Sequence, residues 1–165
     1  MNIFITGNPG CGKSTLIEKL LAETPGRRIA GMITPEIREN GKRKGFKIID
    51  LASGQEEILA SVNSERGPGV PRYRVHLDAI DVIIDKFLES YESSEYVVID
   101  EIGMMEFYSQ KFRKIIEMVV ASDKVVIATL SKRLVKEYRS RGELFYLTRG
   151  NFDEVYGQVR RRLKR

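Results

Sequence analysis

The first fifteen residues constrain the fold more than any other part of the chain. They match the pattern G-x-x-x-x-G-K-[ST], with Gly7, Gly12, Lys13 and Ser14 at its fixed positions. A short apolar run at residues 3–5 precedes the loop, and leucines and isoleucines at helical spacing follow it. A strand, a glycine-rich loop and a helix N-terminus in this order present backbone N–H groups and a helix dipole to a phosphate. The stretch therefore predicts a phosphate-binding loop, or P-loop.

Each residue type in the loop has a predicted task. Lys13 is expected to reach the β- and γ-phosphates of a nucleotide, and the Ser14 hydroxyl to hold Mg²⁺. Thr15 is placed to contact the α-phosphate. The glycines let the backbone approach the phosphates closely. The other residues of the predicted nucleotide-binding loop are Gly7, Asn8, Pro9, Gly10, Cys11 and Gly12.

A P-loop also needs an acid to hold Mg²⁺, and an apolar strand ending in Asp supplies it. The run at residues 97–99 is followed by Asp100 and Glu101. Asp100 is predicted to hold the metal, and Glu101 to act as the base that polarises a water for attack on the γ-phosphate. This acid pair favours hydrolysis over transfer to an acceptor hydroxyl. The nucleotide-binding residues predicted here are Val97, Val98, Ile99, Asp100, Glu101, Ile102, Gly103 and Met104.

Several accessory residues stay open on sequence grounds. Glu106 either orients water or nucleotide or caps the helix expected near Ser109. Thr129 ends a core strand as Asp100 does, so its hydroxyl either senses the γ-phosphate or is an ordinary strand-end group. Charge that builds on the γ-phosphate calls for a cation besides Lys13. Spacing does not choose among the candidates, which are Arg38, Arg43, Arg72, Arg74, Arg139, Arg141 and Arg149.

The order of apolar patterns predicts the fold class. Strand-like and helix-like segments alternate, which indicates a mostly parallel sheet covered by helices on both faces. Asn40-Gly41 predicts a two-residue turn in an antiparallel hairpin insertion. Residues 57–62 have no clear type, and residues 64–71, with two Gly and two Pro, predict a loop or small flap. The length of 165 residues without a linker predicts a single domain over residues 1–165.

Composition excludes several classes of protein. No apolar run exceeds strand length, so no membrane span is expected. The N-terminus shows no signal-peptide pattern, which favours a cytoplasmic protein. The single cysteine, Cys11, excludes an intramolecular disulfide and a cysteine-cluster metal site. A monomer is expected.

The net charge of +5 is concentrated at the C-terminus. Two interpretations stay open: a patch for nucleic acid or another anionic surface, and a solvated helix whose cations complement its dipole. The second is favoured, because no nucleic-acid motif or base-stacking platform accompanies the charge. The residues concerned are Arg160, Arg161, Arg162, Lys164 and Arg165.

The P-loop together with the run Asp-Glu-Ile-Gly-x-Met-Glu at residues 100–106 resembles a small nucleoside-triphosphatase family, called the THEP or cancer-related nucleoside-triphosphatase family. Met104 departs from the Lys of many relatives. The resemblance extends to Gly31-x-x-Thr34-x-Glu36-x-Arg38, Gly41-x-Arg43-x-Gly45-Phe46 and Arg72-Tyr73-x-Val75.

The resemblance implies a three-layer, RecA-like P-loop fold. It also implies Mg²⁺-dependent hydrolysis of ATP, GTP and other nucleoside triphosphates to diphosphate and phosphate, with loose base selectivity. Two alternatives stay open. One is a nucleotide or nucleoside kinase, and the other is a nucleotide-dependent module that binds nucleic acid.

Overall fold

One mixed sheet of nine strands runs through residues 1–62 and 73–165, which are the residues that the structure, a computed structural model, describes. The strands are β1 (Asn2–Gly7), β2 (Ile29–Ile33), β3 (Glu36–Glu39), β4 (Lys42–Asp50), β5 (Glu56–Val62), β6 (Tyr73–Val75), β7 (Tyr96–Ile102), β8 (Val125–Leu130) and β9 (Glu143–Leu147). The helices are α1 (Lys13–Ala22), α2 (Leu77–Tyr91), α3 (Gln110–Ala121), α4 (Val135–Tyr138) and α5 (Phe152–Leu163). Short 3-10 helices cover Glu106–Tyr108, Lys132–Leu134, Arg139–Arg141 and Arg149–Asn151. No helix in these two ranges has the length and apolar character to cross a membrane.

The parallel half of the sheet confirms the predicted α/β class. Its strands lie in the order β2, β7, β8, β1, β9, and each neighbouring pair is parallel. The register places Ile5 of β1 opposite Thr129 of β8, and Ala128 opposite Ile99 of β7. The carboxyl ends of these three strands therefore meet at one edge of the sheet. The P-loop follows β1 at that edge, and Asp100 lies in β7 near the same edge.

The antiparallel half is larger than the hairpin predicted from the sequence. The turn itself is confirmed, since Asn40 and Gly41 both have positive φ, of 52° and 75°. Beyond it, β4 pairs with β5 and β5 pairs with β6, all antiparallel. In β5 only Leu59 and Ala60 are buried, so the alternation that marks a strand is missing from its sequence. The loop or flap predicted at residues 64–71 lies outside the described residues.

Alternation along the central strands builds a core on each face of the sheet. Phe4 and Val97 face the side covered by α2 and α3, whereas Ile3, Ile5 and Val98 face the side covered by α1 and α5. This arrangement gives the three layers that the resemblance implies. Because helices cover both faces of the sheet, the central parallel strands carry near-continuous apolar runs.

The C-terminal basic helix is partly neutralised within the chain. Arg160 pairs with Glu23 at 2.7 Å. Arg162 donates two hydrogen bonds, of 2.8 and 2.7 Å, to the carboxylate of Glu143 on β9. Two of the five cations near the end of the chain are thus held against the α1 and β9 side of the molecule.

Phe87 provides a test of the core beneath α2. Its ring is fully buried and lies 5.5 Å from that of Tyr91. We expect Phe87→Ala to lower the free energy of unfolding by about 3–5 kcal/mol, because it removes packed apolar volume. Val82 lies on the same helix with 43% of its surface exposed, and Val82→Ala should change stability by less than about 0.5 kcal/mol. Urea unfolding of both variants measures the difference, and equal losses would contradict this packing.

Candidate active site

The P-loop is shaped by two glycines at its ends. Gly7 ends β1 with a φ of 156°, and a Cβ atom there would lie 2.4 Å from the carbonyl oxygen of Leu147. Gly12 precedes α1 in the left-handed conformation, with a φ of 106°. A residue with a side chain would be strained at either place. The loop can therefore lie against β9 and still turn directly into the helix.

Polar groups converge at the start of α1. Lys13, Ser14 and Thr15 form its first turn, where backbone N–H groups have no partner within the helix. The Lys13 ammonium donates to the carbonyl oxygens of Gly7, at 2.9 Å, and Asn8, at 3.3 Å. The Lys13 side chain therefore folds back over the loop. A helix N-terminus with such a cation beside it attracts a phosphate.

Neighbouring strands hold the acid pair at the end of β7. The Thr129 hydroxyl donates to Oδ1 of Asp100 at 2.6 Å. The Thr34 hydroxyl, just after β2, donates to the carbonyl oxygen of Asp100 at 2.9 Å and accepts from the Glu101 N–H at 3.2 Å. The peptide bond between Asp100 and Glu101 is cis. One oxygen of Asp100 is thus engaged by Thr129.

Two glutamate side chains meet over Gly103. A Cβ atom on Gly103 would lie 2.6 Å from Oε2 of Glu106 and 2.9 Å from Oε1 of Glu101, so only glycine leaves room for both. Burial raises the pKa of Glu101, an effect that Lys13 opposes and Asp100 reinforces. Burial raises the pKa of Glu106 to about 8, with the charges of Glu101 and Asp100 adding to it. Near neutral pH, Glu106 therefore carries a proton beside Glu101.

The raised pKa of Glu106 makes stability depend on pH. Its ordinary pKa is 4.5 and its value in the folded chain is about 8, so between these values the folded state holds the extra proton. As pH rises through this window the nucleotide-free protein should lose up to about 1.4 kcal/mol of stability per pH unit from this group. The stability of Glu106→Gln should lack this pH dependence, because the amide does not titrate.

Urea unfolding from about pH 5 to about pH 8 tests this linkage. The wild type should become less stable relative to Glu106→Gln as the pH rises. Glu137→Gln, at an exposed position on α4, serves as the control and should run parallel to the wild type. A constant difference between wild type and Glu106→Gln would contradict the raised pKa.

A cleft of about 710 Å³ opens between the P-loop and the antiparallel half of the sheet, a volume within the usual range for small-molecule sites. Its apolar wall includes Ile17, Leu21, Ile33, Phe46, Leu59, Met104 and Met105. Its basic side chains are Lys13, Arg43 and Arg133. The acid pair, Asp100 and Glu101, lines it together with Glu106. Phosphate-binding, acidic and basic groups therefore share one space.

The cleft brings together many of the predicted site residues. Those that line it are Pro9, Gly10, Gly12, Lys13, Ser14, Thr15, Asp100, Glu101, Met104 and Glu106. Gly7, Asn8, Cys11 and Gly103 do not line it, and Cys11 packs in the core beneath α1. Arg72 lies outside the described residues.

The structure corrects one prediction and decides between two pairs of open alternatives. The side chains of Val97, Val98, Ile99 and Ile102 are buried in the core, so they position the acid pair and do not line the cleft. Thr129 is fully buried and its hydroxyl is engaged with Asp100, so it does not face the cleft as a phosphate sensor would. Glu106 does not cap α3, because the Ser109 hydroxyl accepts from the Phe112 N–H at 3.1 Å.

Sequence reasoning missed two residues of this site. Thr34 follows an ordinary apolar strand, and only the β2–β7 pairing brings its hydroxyl to the acid pair. Arg133 lies in a 3-10 helix after β8 and is not among the candidate arginine partners of the γ-phosphate named from the sequence. The signal for both was their position just after a strand that ends at the P-loop edge.

Comparisons with known proteins agree with this geometry. A family model described as NTPase matches residues 2–160. The nucleoside-triphosphatase THEP1 of Methanosarcina acetivorans is 41% identical over 172 residues, covering 100% of this chain and 98% of that protein. The corresponding protein of Methanocaldococcus jannaschii is 38% identical over 162 residues, covering 96% of this chain and 95% of the relative.

Solved structures show the same architecture. The crystal structure of THEP1 from the hyperthermophile Aquifex aeolicus superposes with a TM-score of 0.78 at 32% identity, covering 96% of each chain. The solution structure of a human cancer-related nucleoside triphosphatase gives 0.74 at 28% identity, covering 98% of this chain and 96% of the human one. The chain therefore belongs to the THEP1 family of nucleoside-triphosphatases and is a P-loop hydrolase of nucleoside triphosphates.

Proposed function

We propose that this chain hydrolyses Mg²⁺-bound ATP, GTP and other nucleoside triphosphates to the diphosphate and phosphate. The observation that carries the proposal is the position of Glu101, which shares one cleft with Lys13 and Asp100. A base, a phosphate-binding cation and a metal-binding acid are the groups that transfer of a γ-phosphoryl group to water needs. Residues 1–165 would act as one catalytic domain and as a monomer.

The P-loop would hold the triphosphate. In this role the N–H groups of the loop and of the first turn of α1 donate to phosphate oxygens, as they do at other helix N-termini. The Lys13 ammonium would pair with the β- and γ-phosphates. The Thr15 hydroxyl, two residues further along the first turn of α1, would contact the α-phosphate. These contacts place the γ-phosphorus at the mouth of the loop, facing the acid pair.

Ser14 and Asp100 fit a magnesium ion. Thr129 engages Oδ1 of Asp100, which leaves Oδ2 as an acceptor on a fixed carboxylate. Within residues 1–62 and 73–165 no cluster of three or more His, Cys, Asp or Glu side chains is arranged to hold a metal. Mg²⁺ commonly takes one carboxylate and completes its octahedron with water and phosphate oxygens, so this sparse set suits it. When bound, the ion neutralises charge on the β- and γ-phosphates.

Glu101 would act as the general base. As water attacks, a new bond forms between its oxygen and the γ-phosphorus, and the bond from that phosphorus to the bridging oxygen breaks. The water proton passes to the Glu101 carboxylate, and the diphosphate leaves with the bridging oxygen. Burial raises the pKa of Glu101 and so strengthens it as a base. Glu106, protonated and packed beside it over Gly103, would hold its side chain in position.

Loose base selectivity follows from the character of the cleft wall. Its apolar side chains offer contact area to any base. Apolar pockets discriminate weakly between ligands of similar shape. We therefore include GTP, CTP and UTP with ATP as substrates.

Phosphate release in the absence of an acceptor tests this function. Purified protein is incubated with each of the four nucleoside triphosphates, with Mg²⁺ and again with a chelator. We expect equal amounts of diphosphate and phosphate from several of them, and none after chelation. Tight nucleotide binding without phosphate release would contradict the proposal and favour the kinase alternative, in which an acceptor molecule is required.

A further inference from the structure

A second arginine reaches the cleft from the segment after β8. Arg133 belongs to the 3-10 helix Lys132–Leu134, and it lines the same space as Lys13 and Glu101. Its strand, β8, lies between β7 and β1. The segment after β8 therefore emerges between the acid pair and the P-loop, the two halves of the site.

Hydrogen bonds join this segment both to the end of β7 and to the P-loop. The Ser131 N–H donates to the carbonyl oxygen of Ile102 at 3.1 Å, and the Leu134 N–H donates to that of Ser131 at 2.9 Å. The Lys132 ammonium donates to Oδ1 of Asn8 in the P-loop at 2.7 Å. Leu134 is buried in the core. The position of Arg133 relative to the P-loop is thus set by the folded chain itself.

The Arg133 guanidinium is available for a ligand, in contrast to that of Arg43. Arg43 donates to Glu36 at 2.5 Å and lies 5.4 Å from the centroid of the Phe46 ring, so its charge is already paired. The Arg133 side chain is exposed, and within residues 1–62 and 73–165 its guanidinium forms no hydrogen bond or ion pair. A planar guanidinium with five donors matches the oxygens of a phosphoryl group.

We propose that Arg133 contacts the γ-phosphate in the transition state and supplies, from within the same chain, the second cation of the site. The proposal rests on the hydrolysis proposed above. As the bond to the bridging oxygen breaks, negative charge accumulates on the γ-phosphoryl oxygens and on the departing diphosphate. A guanidinium at this point stabilises that charge more than it stabilises the bound substrate.

Arg133→Ala and Arg133→Lys test the role. For Arg133→Ala we expect kcat for Mg²⁺-ATP to fall by about 100-fold or more while KM changes by less than about threefold, as for other donors aimed at developing charge. Arg133→Lys should recover only part of the loss, because an ammonium cannot form two parallel hydrogen bonds. Arg139→Ala is the matched control, since Arg139 is exposed, lies six positions further along and does not line the cleft.

A second readout does not depend on turnover. Aluminium fluoride bound beside Mg²⁺-ADP mimics the γ-phosphoryl group in the transition state. The wild type and Arg139→Ala should therefore bind Mg²⁺-ADP more tightly when aluminium fluoride is added. Arg133→Ala should lose this tightening and keep its affinity for Mg²⁺-ADP alone. If the wild type hydrolyses Mg²⁺-ATP, and Arg133→Ala keeps both the wild-type kcat and the tighter binding of Mg²⁺-ADP with aluminium fluoride, the role of Arg133 is overturned. The hydrolysis proposal would not be affected by that result. A variant that weakens Mg²⁺-ADP binding without lowering kcat would also overturn it. A wild type without turnover would overturn both proposals.

Discussion

Glu101→Gln should lower the rate of phosphate release by about 100- to 10,000-fold while leaving nucleotide affinity within about threefold of the wild type. The amide has the same shape as the carboxyl and still fits over Gly103, but it cannot take a proton from water. The N–H of residue 101, which donates to Thr34, is unaffected by the change. The loss should therefore fall on kcat, which steady-state phosphate release measures, and not on binding, which titration with a fluorescent nucleotide measures.

Glu137→Gln provides the matched control for this experiment. Glu137 lies on the short helix α4, is exposed and does not line the cleft, so the same chemical change there should leave both measurements unaltered. Turnover of Glu101→Gln at the wild-type rate would remove Glu101 from the mechanism. Equal losses of binding and turnover would instead make it a residue that holds the nucleotide.

Lys13→Ala should weaken binding as well as chemistry. Lys13 is the cation of the P-loop, and a hydrogen bond to a charged group contributes about 1.5–3 kcal/mol, so the affinity for Mg²⁺-ATP should fall by about 10- to 150-fold. Turnover should fall further, because the charge on the γ-phosphate grows in the transition state. Asn8, whose carbonyl oxygen accepts from Lys13, is exposed and that oxygen can bond to water, so thermal stability should change little.

Lys114→Ala is the control for Lys13. Lys114 is an exposed lysine on α3 outside the cleft, and its loss should alter neither nucleotide affinity nor turnover. Nucleotide titration followed by phosphate release distinguishes the two variants. Undiminished affinity of Lys13→Ala for Mg²⁺-ATP would show that the triphosphate does not lie in the P-loop.

The parts of the site that could be predicted are those specified by neighbouring residues in the chain. The P-loop is recognisable because Gly7, Gly12 and Lys13 must stand at fixed spacing for the backbone to turn into α1. The pair Asp100-Glu101 is recognisable because it ends an apolar strand. The Asn40-Gly41 turn is recognisable because both residues must tolerate positive φ, and both do.

The parts that were missed depend on contacts between distant segments. Thr34 and Glu101 are 67 positions apart, and only the pairing of β2 with β7 joins them. Arg133 lies in a 3-10 helix after β8, and only the place of β8 between β7 and β1 brings it to the cleft. Position just after a strand that ends at the P-loop edge was the one signal for Thr34 and Arg133, because the contacts themselves are set by packing between distant segments.

The most direct test of the account is a single turnover in water labelled with oxygen-18, with enzyme in excess over Mg²⁺-ATP. If water activated by Glu101 attacks the γ-phosphorus, the phosphate gains one labelled oxygen and the diphosphate gains none. Label in the diphosphate would show that attack occurs at the β-phosphorus. Consumption of ATP without labelled phosphate would show that the phosphoryl group passes to a molecule other than water. Either of these results would contradict the central claim that this cleft directs water onto the γ-phosphate.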